Sequence, residues 1–269
     1  MKYETLIVSE AEGIAHIEIN RPEKANAMNG VMWQEIKTAF DWLGTSHARV
    51  GVLSARGKNF TAGVDFDLLM AVKAETAALP DGVRQKRLYE IIRNLQSAIT
   101  AAELCSKPIL AAIHGACVGG GVDLVAACDM RYATQDARFA VKEVDLAIVA
   151  DVGTLQRLPR LIGEGLAREL AYTGREFDGK EAHTMRLVNQ TFTDKESLMK
   201  AVMEIAGTIA RKSPLTIRGI KDTLNYSRDH SVAEGLEYVA VKNADILFSA
   251  DLAEAISASM QQRVAKFED

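Results

Sequence analysis

The stretch Ile113–Asp151 reads IHGACVGGGVDLVAACDMRYATQDARFAVKEVDLAIVAD, and the rest of the chain is organised around it. An apolar, strand-like run ends at Ile113, and the triplet Gly119–Gly121 then opens a helical pattern. Glycines at the start of a helix leave backbone N–H groups uncovered, and the helix dipole favours an anion there. The pattern predicts a strand, a tight glycine turn and a helix that can bind negative charge. A turn used only for close packing is the plain alternative.

Three carboxyl groups in this stretch have mostly apolar neighbours: Asp123, Glu143 and Asp151. Burial among Val, Leu, Ile and Ala raises the pKa of an acid and suits it to proton transfer near neutral pH. Each acid also has a structural alternative. Asp123 can cap its own helix, Glu143 can be a solvated charge, and Asp151 can cap the helix that follows it. Only the three together favour catalysis, whereas Asp129 and Asp145 are assigned to salt bridges or caps.

A second glycine loop, Phe60–Asp65 (FTAGVD), offers a matching device. Gly63 can bend the chain so that the N–H of Val64 points outward. Two such N–H groups from separate loops can bind one oxygen atom as an oxyanion hole. Each donor of such a hole stabilises the transition state by about 2.7–4 kcal/mol. Taken alone, this loop is equally typical of a turn that leads into a helix. Neither glycine pattern is a dinucleotide fingerprint or a phosphate-binding P-loop.

The composition is that of a soluble globular protein, with 48% hydrophobic residues in 269 and a net charge of −4. The acidic balance argues against nucleic acid as a partner. No apolar run is long enough to span a membrane and no signal peptide is recognisable, so a cytoplasmic location without membrane contact is expected. The five histidines do not cluster, and His114 is assigned to packing at a strand end. Three isolated cysteines predict neither disulfides nor a metal site: Cys105, Cys117 and Cys128.

Apolar periodicity and turn residues divide the chain into an α/β part up to about residue 193 and an all-helical part from 194 to 269. The α/β part begins with a predicted hairpin over residues 3–9 and 13–19, followed by a helix capped by Asn29 and a short strand, Arg49–Ser54. Asp65 is expected to cap a helix, and Ala71–Gly82 to form a mobile excursion. The helical part predicts four helices, with capping boxes at Thr193–Glu196 and Ser231–Glu234.

Five motifs occur in the order typical of the enoyl-CoA hydratase/isomerase (crotonase) superfamily, which the chain resembles over nearly its whole length. They are Asn20-Arg21-Pro22 with Asn26-Ala27-Met28, Phe60–Asp65, His114-Gly115, Gly119–Gly121 and Cys128-Asp129-Met130-Arg131. Three further stretches resemble the dienoyl-CoA isomerases of this superfamily: GGGVDLVAACDMRY from Gly119, VKEVDLAIVADVGTLQRLPRLIG from Val141 and YSRDHSVAEGL from Tyr226. The last two are long enough to be more specific than any glycine pattern.

The resemblance implies an α/β fold in which ββα units form a spiral core, followed by a helical region used for trimerisation. Two trimers commonly stack into a hexamer. It also implies an acyl-CoA thioester as substrate, whose oxygen accepts from the N–H groups of Val64 and Gly120. The substrate-binding positions implied by the family motifs are Asn26, Ala27, Ala62, Gly63, Asp65 and Gly119.

The same resemblance implies the isomerisation of 3,5-dienoyl-CoA to 2,4-dienoyl-CoA in unsaturated fatty acid degradation. Glu143 would be the base at carbon 2, Asp151 the acid at carbon 6, and Asp123 would keep Glu143 in its working protonation state. No metal and no redox cofactor are expected, since coenzyme A is part of the substrate. Three alternatives stay open: an enoyl-CoA hydratase, a monoene isomerase of the same fold, and a non-catalytic acyl-CoA-binding protein.

Overall fold

Strands and helices alternate along the first part of the chain in the computed structural model, which describes residues 2–268. The strands are β1 (Leu6–Ala11), β2 (Ile14–Ile19), β3 (Val50–Ala55), β4 (Ile109–Ile113), β5 (Ala116–Val118), β6 (Met130–Thr134), β7 (Arg138–Ala140), β8 (Phe177–Asp178) and β9 (Gln190–Phe192). The helices of this part are α1 (Gly30–Thr45), α2 (Phe66–Thr76), α3 (Asp81–Leu104), α4 (Gly120–Ala127), α5 (Thr154–Ile162), α6 (Glu164–Thr173) and α7 (Gly179–Thr184). Two short 3-10 turns cover Pro22–Lys24 and Glu143–Leu146.

A six-stranded sheet forms the centre, with the strand order β1-β2-β3-β4-β6-β9. Only the β1–β2 hairpin is antiparallel. Every residue of β3 and β4 is buried, because helices cover both faces of these central strands. Leu53 of β3 packs with α1 residues such as Phe40, whereas Val52 points to the opposite face, towards the helix Lys195–Ala210. A second sheet, β5-β7-β8, lies beyond the carboxyl end of β4 and carries the glycine turn.

The predicted elements of the α/β part are largely confirmed. β1 and β2 form the expected hairpin, and the side chain of Asn29 caps α1 by accepting from the N–H of Met32. The expected mobile excursion at Ala71–Gly82 is wrong in its outline, because α2 continues to Thr76 and α3 already begins at Asp81. The alanines favour the helix, and Pro80 precedes the first turn of α3, where its missing N–H is not needed.

Four helices and no strand occupy the described residues from 194 onwards, as predicted: α8 (Lys195–Ala210), α9 (Pro214–Arg228), α10 (Val232–Ile246) and α11 (Ala250–Met260). Ser231 and Glu234 form the expected capping box of α10. The box of α8 is displaced by one residue, since Asp194 pairs with Ser197 and Thr193 lies outside it. A carboxylate accepts the N–H bond of the first turn as well as a hydroxyl does, so two adjacent caps competed for this helix start.

The helical part is anchored on the α/β body. Helix α8 buries Leu198 and Val202 against the central sheet. Helix α9 is held by the buried Lys221, whose Nζ donates to Asp129 Oδ2 at 2.8 Å and to two backbone carbonyls. Asp129 therefore has the structural role predicted for it. No helix within residues 2–268 is both long and apolar enough to cross a bilayer.

Candidate active site

The loop Thr61–Asp65 is fixed between two other segments by backbone hydrogen bonds. On one side the N–H of Val118 donates to Thr61 O at 3.1 Å, and on the other the N–H of Met28 donates to Gly63 O at 2.8 Å. Gly63 has a φ of +92°, and a Cβ at this position would lie 2.8 Å from Val118 O. Only glycine can occupy it without strain, because both the φ value and the close backbone approach exclude a side chain.

The glycine triplet turns the chain from β5 into α4. Gly119 has a φ of +52°, and a Cβ on it would lie 3.2 Å from Glu143 Oε1. A Cβ on Gly121 would overlap the methyl group of Thr61. The triplet thus makes the predicted tight turn with close packing, while its binding of an anion stays a prediction.

The N–H groups of Val64 in one loop and of Gly120 in the other have no protein acceptor among residues 2–268, and the same holds for Gly121, the second residue of α4. The loops that carry them touch, since a Cβ on Gly63 would lie 3.8 Å from Gly119 Cα. Beneath Gly120 lies the ring of Trp33, which would be 3.3 Å from an added Cβ. Neighbouring loops therefore present two uncommitted donors, which is the arrangement that an oxyanion hole requires.

Asp123 lies in the first turn of α4 and is fully buried. Its Oδ1 accepts from the backbone N–H of Thr154 at 2.5 Å, and its Oδ2 has no hydrogen-bond partner. The bonded N–H belongs to the first residue of α5, so Asp123 does not cap its own helix. Burial raises the pKa of Asp123 to about 6, although the hydrogen bonds from Thr154 oppose this increase.

Glu143 opens the 3-10 turn and points its carboxyl group inward. Oε1 faces Gly119, and Oε2 is buried without a hydrogen-bond partner. The alternative of a solvated charge is therefore wrong. Burial is the main cause that raises the pKa of Glu143 to about 7, and the negative charges of Asp123 and Asp151 raise it further. A carboxyl group with this pKa can accept or release a proton near neutral pH.

Asp151 is the most accessible of the three acids. It does not cap α5, because Gly153 holds the cap position and no side chain bonds there. Its backbone carbonyl accepts from Gln96 Nε2 at 2.6 Å. The residue as a whole is exposed, yet partial burial of the carboxyl group still raises its pKa. Its negative charge raises the pKa values of both Asp123 and Glu143. The structure therefore brings the three predicted acids together.

A large cavity is lined in part by Asp151. It has a volume of about 1310 Å³ and opens between α1, α3, α5 and α9. Asp151 and Arg157 line it, whereas Glu143, Val64 and Gly120 do not. The lining of this cavity therefore includes one of the three acids and neither of the two N–H groups.

The predicted substrate-binding side chains have structural partners. Asn26 is fully buried, its Nδ2 donates to the carbonyls of Arg56 and Asn59, and its Oδ1 accepts from the N–H of Arg21. Asp65 caps α2 as expected and forms a 2.9 Å ion pair with Arg21, whose hydrogen bond lowers the pKa of this carboxyl group. Any contribution of these two side chains to ligand binding is therefore through the shape of the loop.

Backbone contacts fix the small residues of the same loops. Arg21 Nη1 donates to the carbonyl of Ala27, and the N–H of Ala62 donates to the carbonyl of Ala25 at 3.0 Å. Ala62 is exposed and Ala27 is half-buried, so both reach the surface beside Gly63.

Buried polar atoms without a partner are concentrated at this site. Within residues 2–268 four such side-chain atoms occur, and three are here: Asp123 Oδ2, Glu143 Oε2 and Thr154 Oγ1. Because folded proteins satisfy nearly all buried polar groups, this concentration indicates a place where a ligand or water supplies partners. Sequence reasoning missed Thr154 and Trp33. A threonine at the start of α5 and a tryptophan within α1 carry no local signal for a place beside the reacting groups.

Two residues near the site have the structural roles predicted for them. His114 Nε2 bonds Gly57 O at 2.9 Å, at the end of β4. Asp145 forms a 3.0 Å ion pair with Lys142 on the surface. Neither side chain is available for the chemistry of the three acids.

Comparison with known proteins agrees with this geometry. The family described as enoyl-CoA hydratase/isomerase matches residues 9–269. The chain is 44% identical to the mitochondrial Delta(3,5)-Delta(2,4)-dienoyl-CoA isomerase of Mus musculus over 98% of this chain and 82% of the relative. It is 46% identical to the peroxisomal enzyme of that name from Arabidopsis thaliana over 94% of this chain and 92% of the relative. The solved enoyl-CoA hydratase of Bacillus anthracis superposes with a TM-score of 0.88 at 27% identity, covering 98% and 99% of the two chains.

These relatives correct one expectation. The cytoplasmic location inferred from composition and from the N-terminal residues is wrong, because the similar enzymes are named mitochondrial or peroxisomal. Composition does not distinguish these compartments from the cytosol, since the folded enzyme meets an aqueous solution in each.

Glu143→Gln is expected to remove a pH-dependent loss of stability. The pKa of Glu143 is about 7 in the folded protein, against about 4.3 for an unperturbed glutamate. Between these two pKa values the folded chain binds more protons than the unfolded chain does. The free energy of unfolding therefore falls as the pH rises from the lower pKa to the higher one. At pH 8 the variant should be more stable than the wild type by about 2 kcal/mol after allowance for partial exposure, and nearly equal at pH 4.5. Urea unfolding of the variant and the wild type at each pH measures these differences in stability.

The control is Glu204→Gln, which changes an exposed glutamate of α8 in the same way. This variant should follow the wild type at both pH values. If Glu143→Gln also followed the wild type, the inward, proton-holding state of Glu143 would be refuted.

Proposed function

Because the chain belongs to the enoyl-CoA hydratase/isomerase family and has its α/β crotonase fold, we propose that it isomerises 3,5-dienoyl-CoA to 2,4-dienoyl-CoA. Relatives 44% and 46% identical over nearly the whole chain are named for this reaction. The observation that carries the proposal is one cluster of three acids with raised pKa values, Asp123, Glu143 and Asp151. It lies against a loop pair with two uncommitted N–H groups. The proposed setting is the degradation of unsaturated fatty acids.

The first proposed step is proton removal from carbon 2 of the thioester by the Glu143 carboxylate. The electron pair of the broken C–H bond spreads along the conjugated chain, and negative charge develops on the thioester oxygen. The N–H groups of Val64 and Gly120 donate to that oxygen, and each such donor contributes about 2.7–4 kcal/mol. A base with a pKa of about 7 is half ionised at neutral pH, and its proton affinity is high enough to make this step feasible.

The second proposed step returns a proton at carbon 6, from the carboxyl group of Asp151. The new C–H bond takes its electrons from the dienolate, and the double bonds come to rest at carbons 2 and 4. The proton on Glu143 and the charge on Asp151 are then exchanged through solvent before the next turnover. Hydrogen atoms and electrons balance without an oxidant or reductant, so the proposal includes no redox cofactor and no metal.

The ionised Asp123 has a supporting part in this scheme. Its negative charge raises the pKa of Glu143 and so strengthens the base. The backbone at Ala62, Gly63 and Gly119 is proposed to contact the acyl-CoA directly. Asn26, Ala27 and Asp65 would hold the loop that lies along it. The three acids titrate as a coupled set, so the activity profile reports on the set and not on one residue.

Hydration of an enoyl-CoA is the second candidate function. Asp123 and Glu143 both have an unpartnered oxygen at the site, and such a pair could hold and activate a water molecule. Asp151 argues for isomerisation, because a hydratase needs no third acid at a distant carbon.

The proposed function predicts that the protein forms a conjugated 2,4-diene from a 3,5-dienoyl-CoA, and that Glu143→Gln lowers kcat at least about 1000-fold. The amide has the size of the acid but cannot accept the proton, so acyl-CoA binding should change little. Ultraviolet absorbance follows turnover, and calorimetry follows binding. For the wild type, kcat/KM should rise with pH through about 7, because the base must lose its proton.

Asp145→Asn is the matched control, since Asp145 is an exposed acid of the same 3-10 turn. It should retain wild-type turnover. Crotonyl-CoA hydration without any dienoyl-CoA isomerisation would overturn the proposal in favour of the hydratase. Undiminished isomerisation by Glu143→Gln would overturn the role of the base.

The proposed oxyanion hole predicts a loss of kcat in Gly63→Ala. An added Cβ would lie 2.8 Å from Val118 O at a φ of +92°, so the loop must move and carry the N–H of Val64 with it. Loss of one such donor lowers kcat by about 100- to 1000-fold. Steady-state kinetics measure this change. Gly82→Ala, which meets open space in α3, should keep full activity, and an equally active Gly63→Ala would contradict the assigned donor.

We also propose that the protein assembles as a homotrimer or homohexamer through its helical part. Large apolar side chains are exposed there on α9, α10, α11 and the turn between the last two: Leu224, Leu236, Val241, Phe248, Ile256 and Met260. Exposed apolar area of this kind is typical of an association surface. Sedimentation equilibrium should give three or six times the 29.3 kDa of one chain. A monomer at micromolar concentration would refute this assembly.

A further inference from the structure

Thr154 is the first residue of α5 and is fully buried beside Asp123. Its backbone N–H donates to Asp123 Oδ1 at 2.5 Å, across 31 positions of the chain. Gly153 precedes it with a φ of +132°, a backbone conformation that favours glycine. A helix N-terminus favours negative charge, and here its first N–H group is committed to one carboxylate.

The hydroxyl group of Thr154 adds a second polar group at the same place. In a threonine the hydroxyl oxygen is three bonds from the backbone nitrogen, so this oxygen also lies close to Asp123. It is buried and makes no hydrogen bond of normal geometry, yet it is near enough to Asp123 to lower the pKa of that carboxyl group. Asp123 Oδ2 has no partner either. An unsatisfied buried hydroxyl costs about 1–3 kcal/mol. A valine would avoid that cost without changing the shape, so the hydroxyl has no evident stabilising role.

The other charges around Asp123 do not supply a free donor. Glu143 and Asp151 are acids, and the buried thiol of Cys117 is kept protonated by a strongly raised pKa. Arg157 carries the positive charge that lowers the pKa of Asp123. Its guanidinium is already paired with Glu103 at 2.7 Å.

We propose that Thr154 is a positioning residue of the isomerase site, whose backbone N–H and hydroxyl together hold the Asp123 carboxylate as an anion facing Glu143. The inference rests on the proposed function and extends it by one residue. An anionic Asp123 raises the proton affinity of Glu143, so Thr154 acts on the base through Asp123. Thr154 itself does not touch the reacting carbons.

The test is Thr154→Val, which keeps the backbone N–H and the side-chain shape but removes the hydroxyl group. Without this donor the ionised form of Asp123 is less favoured, so its pKa rises. We expect the titration midpoint of the Asp123 carboxyl carbon, followed by NMR after assignment with Asp123→Asn, to move up by about one pH unit. Because a less ionised Asp123 raises the pKa of Glu143 less, the acidic limb of the kcat/KM profile with 3,5-dienoyl-CoA should move to lower pH.

Thr154→Ser and Thr134→Val are the matched controls. Thr154→Ser keeps a hydroxyl group at this position. Its Asp123 titration midpoint and its kcat/KM profile should therefore lie close to those of the wild type. Thr134 is a second buried threonine whose hydroxyl has no partner, but it lies at the end of β6, outside the acid cluster. Thr134→Val should therefore leave the Asp123 titration and the pH profile unchanged.

A merely structural threonine would give a different result. The proposal is overturned if Thr154→Val titrates like the wild type, or if Thr134→Val shifts Asp123 equally. The NMR titration does not depend on turnover. A shift of Asp123 in a protein that fails to isomerise dienoyl-CoA would support the role of Thr154 in holding Asp123 and refute only the proposed reaction.

Discussion

The close approach of two backbone loops at Gly63 and Gly119 is the constraint on which the rest of the site depends. A side chain at Gly63 would collide with Val118 O, and one at Gly119 would meet the carboxyl group of Glu143. The absence of side chains therefore lets two N–H groups from separate loops lie together with an acid beside them. Donors that are fixed in this way need no reorganisation when charge develops, which is why such sites are effective.

The same close packing of loops and acids explains the raised pKa values of the three carboxyl groups. Asp123, Glu143 and Asp151 are brought together where burial disfavours their charged forms, and their mutual repulsion raises the pKa of Glu143 further. In a site evolved only for stability, such acids would be replaced by apolar residues. Their persistence, with unpartnered oxygens on Asp123 and Glu143, is understandable if protons must be exchanged at neutral pH.

Sequence reasoning identified the parts of the site that have local signals. The glycine triplet, the cap at Asn29 and acids among apolar neighbours each express a constraint within a few residues. It could not identify the bond between Asp123 and Thr154, because folding alone joins α4 to α5. It assigned Asn26 to substrate binding, which stays a prediction, and could not show that this amide also holds its own loop. A buried, saturated amide and a ligand-binding amide look the same in a sequence.

The motifs that resemble dienoyl-CoA isomerases acquire a physical meaning only in three dimensions. Arg157 and Arg228 lie in two of them, and both pair with Glu103 of α3. Arg160 and Asp229 make a second link between the same motifs at 2.7 Å. These ion pairs fasten α5, and with it the N–H that holds Asp123, to the helical part of the chain. The stretch that starts at Tyr226 is therefore tied, through Glu103 and Arg160, to the helix whose first N–H holds Asp123.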